Sequence, residues 1–270
     1  TVPTKLGLAD STASTPYTLD IDKVTRLNNI NMYSLSYPQL WQALGVSDVS
    51  FSIEIRTLFN VSITLLSTTA GVNETAYGFD IYTHKSGTPI LADLRCYIIV
   101  QDYVNSVTST TAIDGHASIS EAIPNSIGGT AILIAFAKAQ SNNQIVAFNA
   151  YTFAHNSSHP LPNRTFTQMS PLNHMLNVTS TYPLEKVHKA LVLTFNYNFS
   201  LTEENLSEQS VEYEIPRLLD PCPIVLVITG FNGSSSFAEW TSYPQLPLTF
   251  GANFEDNAEA SAVSFSHVVS

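Results

Sequence analysis

Residues 51–66 (FSIEIRTLFNVSITLL) alternate apolar and polar side chains along almost their whole length. Phe51, Ile53, Ile55, Phe59, Val61, Ile63 and Leu65 share one parity, while Ser52, Glu54, Arg56, Asn60, Ser62 and Thr64 share the other. Period two belongs to a strand with one wet face, and a helix does not produce it. Residues 190–201 repeat the pattern, with Leu191, Leu193, Phe195, Tyr197, Phe199 and Leu201 set against Thr194, Asn196, Asn198 and Ser200. The run lengths and Gly, Pro, Asn and Asp breaks predict strands near 18–24, 31–36, 49–57, 58–66, 77–83, 90–103, 107–113, 116–122, 129–138 and 144–154. They predict more near 175–181, 190–201, 209–215, 223–230, 246–250 and 261–269. Helical periodicity is confined to 37–44, the stretch around 169–176, and 184–191, whose end reads better as strand. Asn142-Asn143 is suited to a hairpin turn, because Asn tolerates positive φ, and Asp114-Gly115 does the same one hairpin earlier. The expected class is all-β, built as sandwiches with a few short helices.

Composition narrows the setting. Only 12% of the 270 residues are Asp, Glu, Lys or Arg, against about 25% in an average soluble protein. Hydrophobics at 44% are ample for a core. The wet surface must therefore be made of Ser, Thr, Asn and Gln, as in secreted coats and stalks. The net charge of −11, with its eleven basic residues scattered, excludes a nucleic-acid or anionic-membrane surface, either of which needs a Lys/Arg patch. No 18-residue apolar stretch occurs, so the sequence contains no membrane-spanning helix, and no signal peptide is visible. A chain opening at Thr1 reads as a mature or truncated form.

Eight N-x-[S/T] sequons place the chain more firmly. Their asparagines are Asn60, Asn73, Asn156, Asn163, Asn177, Asn198, Asn205 and Asn232. Chance would supply roughly four at this composition, so placement matters more than number. Asn60 and Asn198 both fall on the polar parity of patterned strands, where a glycan would project into solvent. Covalent N-glycans imply an extracellular, cell-surface location. In that setting Cys96 and Cys222 are expected to pair as a disulfide, which would contribute about 5 kcal/mol if unstrained. Two buried free thiols are the alternative, since Cys96 shares the parity of Ala92, Leu94, Ile98 and Val100, and Cys222 opens the apolar run 223–228.

The proline-rich polar stretch 155–163 (HNSSHPLPN) reads as a linker, dividing the chain into an N-terminal β-sandwich region, 1–155, and a C-terminal β-sandwich domain, 156–270. Within 77–153 lie Gly87-Thr88-Pro89-Ile90, Ala92, the Asp114-Gly115 turn with Ala117, and Gly129-Thr130-Ala131 ahead of a closing hairpin. On these turn motifs the segment resembles the immunoglobulin-like modules of microbial surface proteins, the invasin and macroglobulin-type sandwiches. The match covers under a third of the chain. A looser similarity, in Thr/Asn-rich β segments, is to ectodomains of archaeal pilin-like surface proteins. The resemblance implies two immunoglobulin-like sandwich domains acting as spacer, adhesin segment or filament subunit.

No reaction chemistry stands out. His155 and His159 have a metal-like spacing but sit in the expected linker without a companion Glu. Asp20 with Asp22, and Glu255, Asp256, Asn257 and Glu259, offer carboxylates for calcium but lack its loop pattern. No G-x-S-x-G, phosphate loop or dinucleotide fingerprint is present, and Gly230–Ser236 reads as a sequon-bearing loop. Trp41 and Trp240 fall in loop-like or helical surroundings, and Trp240 is the candidate for an exposed sugar-stacking position. Either terminus, 1–16 or 261–269, is able to pair within its own domain or to add to a neighbour's sheet edge.

The sequence thus predicts a non-enzymatic, N-glycosylated structural subunit of a cell-surface assembly (a pilus-like filament, surface layer or stalk), with no cofactor or metal. Its expected partners are copies of itself or other surface proteins. An adhesin or carbohydrate-binding module is the alternative, and a surface hydrolase the third reading.

Overall fold

The structure, a computed structural model, describes residues 8, 10, 19–45, 50–142, 145–156, 166–180, 187–217, 223–232 and 235–251. In chain order come α1 (Ile21–Thr25), α2 (Tyr37–Leu44), β1 (Ser52–Ile55), β2 (Asn60–Ala70), β3 (Glu74–Lys85), β4 (Thr88–Pro89), β5 (Ala92–Val100), β6 (Tyr103–Thr110), β7 (His116–Pro124), β8 (Gly129–Ala139) and β9 (Val146–His155). The chain continues with β10 (Thr167–Leu172), β11 (Met175–Ser180), β12 (Val187–Leu193), β13 (Asn198–Ser200), β14 (Thr202–Leu206), β15 (Ser210–Glu214), β16 (Ile224–Asn232), β17 (Ser235–Tyr243) and β18 (Leu248–Gly251). The protein is predominantly β, and no described helix is long and apolar enough to cross a membrane.

The strands form four main sheets. An outer sheet has β2 on one side of β3 and β7 and β4 on the other, and it faces an inner sheet ordered β6-β5-β8-β9. A second pair follows, outer β10-β11-β15-β14 and inner β13-β12-β16-β17. The inner sheets have the same strand order, and β2-β3-β7 corresponds to β10-β11-β15. The repeat is therefore visible in topology although the sequence shows none.

Each pair closes on its own core, one around Phe79, Ile81, Leu94, Ile98 and Leu133 and the other around Leu176, Val178, Val192, Leu226 and Ile228. The two inner sheets then pack on each other. Tyr97, Ile99, Ile132, Ile134 and Phe136 meet Leu191, Leu193, Val225, Val227 and Ala238 in a third apolar layer. Strands buried on both faces must be apolar at every position, which explains the unbroken runs CYIIV, AILIAFA and IVLVI. Polar bonds tie the seam: Tyr97 Oη donates to Thr194 O at 3.0 Å, and Arg95 Nη1 to Asn196 O at 3.0 Å. At Gly129 (φ +127°) a Cβ would lie 1.5 Å from Ser236 Oγ, so β17 crosses β8 where only glycine fits.

The expected helix at 37–44 is present with those bounds. Ser36 and Gln39 form its capping box, and Gly45 closes it at φ +67°. The strand expected at 18–24 is instead α1, because the Asp20 carboxylate accepts from the amides of Asp22 and Lys23 and caps a helix. No strand forms at 31–36, where the chain turns and the buried Asn31 amide donates to Pro171 O and Gln245 Oε1. Residues 169–176 are the β10–β11 hairpin, not a helix. Both helices pack with β1 and β18 around Val24, Leu27, Leu248 and Phe250, so residues beyond the second sheet pair return to the start of the chain. The long strand expected at 90–103 breaks at Gln101 (φ +54°) into β5 and β6. That expected at 190–201 breaks after Leu193, where Thr194 Oγ1 receives the amides of Asn196 and Tyr197. Asp114-Gly115 is no hairpin turn: β6 pairs with β5 and β7 with β3, so it carries the chain from one sheet to the other.

Candidate functional site

Five sequon asparagines are exposed. Asn60 points outward from β2, Asn73 lies between β2 and β3, Asn156 follows β9, Asn198 begins β13 and Asn205 is on β14. Asn177, on β11, is half-buried. Its Nδ2 donates to Glu212 Oε1 at 3.3 Å, and its Oδ1 is buried without a partner. Asn205 Nδ2 reaches the other oxygen of the same carboxylate at 2.9 Å, because both residues face Glu212 across neighbouring ladders. Asn156 sits at φ +40° with Nδ2 donating to Asn125 O at 2.6 Å. Asn232 ends β16, paired with Ser235; Asn163 lies outside the described residues. The five exposed positions are on outer sheets, connections or a sheet edge, away from the layer between the inner sheets.

The Cys96 thiol is free and buried, and desolvation pushes it up to about 12. It is therefore protonated at neutral pH and poor as a nucleophile. Cys222, its expected partner, lies outside the described residues. His155 is no linker residue: it ends β9 fully buried, with Nδ1 2.9 Å from Tyr77 Oη and Nε2 3.0 Å from Pro124 O. Both ring nitrogens are thus engaged, and His159 lies outside the described residues, as do Glu255, Asp256, Asn257 and Glu259. Asp22 accepts from Tyr243 Oη at 2.6 Å and from the Asn173 amide at 2.9 Å, pinning α1 to the β10–β11 turn. Asp20 and Asp22 therefore have structural partners. No group of three or more His, Cys, Asp or Glu suited to a metal occurs among the described residues.

On the outer face of β3 and β7, Asp80 Oδ1 accepts from Ser118 Oγ at 2.6 Å and lies 3.0 Å from His116 Nε2. The Ser118 hydroxyl, then His116, holds the Asp80 carboxyl below its usual value. Serine and histidine both bind the carboxylate, whereas a nucleophile relay needs the histidine between the other two. Trp240 is half-buried against the layer between the inner sheets, at right angles to Phe148 with ring centroids 6.3 Å apart.

Free sheet edges are the remaining feature. β14 is exposed throughout and carries Glu203, Glu204 and the sequon Asn205. β13 has three residues and opens with Asn198. β2 carries Asn60 and lies against β9, where Asn149 Nδ2 donates to Val61 O at 2.7 Å. β10 contains Pro171, and its start is clamped to β17 by Glu239, which accepts from the Phe166 and Thr167 amides. β7 contains Glu121 and Pro124. Charges, prolines and short lengths of this kind keep edges from pairing with other chains. β6 has none of them. Its eight residues, YVNSVTST, hold no charge, proline or sequon, and no described strand pairs with its outer side. Val104 packs toward the inter-sheet layer and Tyr103 and Val107 toward the first core, while Ser106, Thr108 and Thr110 are exposed. The sequence pointed to edges in general. Identifying this one needed the pairing partners, which depend on sheet order. The chain matches no protein-family model and no curated protein.

Proposed function

We propose that this chain is an extracellular, N-glycosylated structural subunit of a cell-surface assembly, joined to further copies of itself through the edge of β6. Each sheet pair is read as an immunoglobulin-like sandwich. In support, the order β10-β11-β15-β14 over β13-β12-β16-β17, and its shorter counterpart in the first pair, follow that plan. The reading is non-enzymatic: the Cys96 thiol is protonated and His116 is bound to Asp80 rather than poised on Ser118.

The observation that carries the proposal is the contrast between β6 and the guarded edges. Two copies bearing −11 each repel over most of their surface. An uncharged strand about 27 Å long is where backbone pairing meets the least repulsion. The inner sheet faces are buried on each other and are not open to a second copy. Electron microscopy of native material, with glycopeptide mass spectrometry, tests this directly. Ordered multimers are expected, and Ser106→Lys with Thr108→Lys is expected to yield monomers of unchanged melting temperature. Native protein that stays monomeric at high concentration, or a lysine variant that assembles normally, overturns the reading.

A second reading, a saccharide-binding surface module, is favoured by one observation. Tyr82 and His84 form an aromatic pair, ring centroids 5.0 Å apart, on the outer face of β3 beside Asp80.

A further inference from the structure

The outer face of the β2-β3-β7 sheet places one sequon beside that aromatic pair. Across the β2–β3 ladder Asn60 is directly opposite His84, and Ser62 is opposite Tyr82. Across the β3–β7 ladder Tyr82 is opposite His116, and Asp80 is opposite Ser118. The Tyr82 and His84 rings lie within 17° of parallel. Asp80 receives both Ser118 and His116 on Oδ1, so the carboxylate is fixed in orientation and Oδ2 has no partner among the described residues.

This is the chemistry a pyranose needs. Its C–H face packs on aromatic carbon, and a held carboxylate accepts from its hydroxyls in charge-assisted bonds. Directly opposite Cβ atoms lie about 5 Å apart and diagonal ones about 7–8 Å. A sugar on Asn60 Nδ2 therefore begins over His84 and reaches Tyr82 within its first one or two rings. We propose that Asp80, Tyr82 and His84 form a saccharide-binding site for a pyranose chain, supplied either by the glycan on Asn60 of the same molecule or by a free oligosaccharide. The proposal deepens the glycosylated exterior argued above and rests on it only for the first source.

Two arms distinguish the sources. In the first, natively glycosylated wild type, Asn60→Gln, Tyr82→Ala and the double variant are compared by urea unfolding. A shift in midpoint caused by Asn60→Gln in wild type, and absent in the Tyr82→Ala background, assigns the site to the molecule's own glycan. In the second, N,N′-diacetylchitobiose and methyl β-glucoside are titrated onto Asn60→Gln protein while the His84 and His116 ring resonances are followed. Saturable shifts are expected, weakened at least tenfold by Tyr82→Ala and retained in Tyr82→Phe. Equal binding to intact glycosylated protein assigns the site to free oligosaccharide. If mass spectrometry finds Asn60 unmodified, the second arm decides alone. Neither coupling nor binding overturns the proposal. Failure of the assembly reading shows separately, as native monomers under the microscope.

Discussion

Glu239 sits half-buried on β17, with both carboxylate oxygens turned to the start of β10. Oε1 accepts from the Phe166 amide, and Oε2 accepts from the Thr167 amide and hydroxyl. Burial raises its carboxyl above the ordinary 4.5, and the bonds from Thr167 and Phe166 offset only part of that. A raised folded value means that the folded chain holds this proton more tightly than the unfolded chain does. The stability it contributes is complete below 4.5 and is lost as pH rises through the folded value. Asp80, whose carboxyl is lowered, acts in the opposite sense, but it is common to wild type and variant and cancels in their difference. Wild type is therefore expected to gain on the non-titrating Glu239→Gln as pH falls from neutral toward 4.5. Urea unfolding of both proteins across that range measures the gap, and a gap that widens with rising pH would contradict the assignment.

At the scale of elements, β8 is the best-buried strand. Its positions alternate between layers: Ala131, Leu133, Ala135 and Ala137 turn toward the first core, while Ile132, Ile134 and Phe136 turn toward the second sheet pair. Phe136→Ala is expected to cost about 3–5 kcal/mol, as an aromatic cavity in a fully packed layer does. Thr108→Val, on the exposed side of β6, is expected to stay within about 0.5 kcal/mol; denaturant titration checks both. Strands with one wet face were legible from parity alone, as 51–66 shows, since every outward position there is exposed. Strands buried on both faces carry no parity, so the break after Val100 did not show; the parity of 190–201 ran on across the Thr194 turn and hid the break after Leu193. Position 18–24 misled because Leu19, Ile21 and Val24 look strand-like until the Asp20 cap is weighed. Of the candidate surfaces, the sequons needed only a motif. The β6 edge and the Asn60–His84 apposition depend on register between distant segments, which no local pattern encodes.

For the whole molecule, the layer between the inner sheets decides how the two pairs behave. Tyr97, Ile99, Ile132, Ile134, Phe136, Leu191, Leu193, Val225 and Val227 are each almost wholly buried there. Each such side chain contributes roughly 1.5–3 kcal/mol on burial, so the layer is comparable in stabilisation to the core of a small domain. The Asp22–Tyr243 bond and the β1–β18 ladder further join the beginning of the described chain to its end. Two sandwiches connected only by a linker would melt independently. These two are expected to melt together, in one calorimetric transition whose van't Hoff and calorimetric enthalpies agree. Ile134→Ser with Val227→Ser removes apolar contacts from both sides of the layer while leaving each core intact. That double variant is expected to split the transition in two. Two transitions in the wild-type protein would show instead that the layer does not couple the pairs. A subunit pulled at both ends in a surface assembly would then extend sandwich by sandwich rather than bear load as one body.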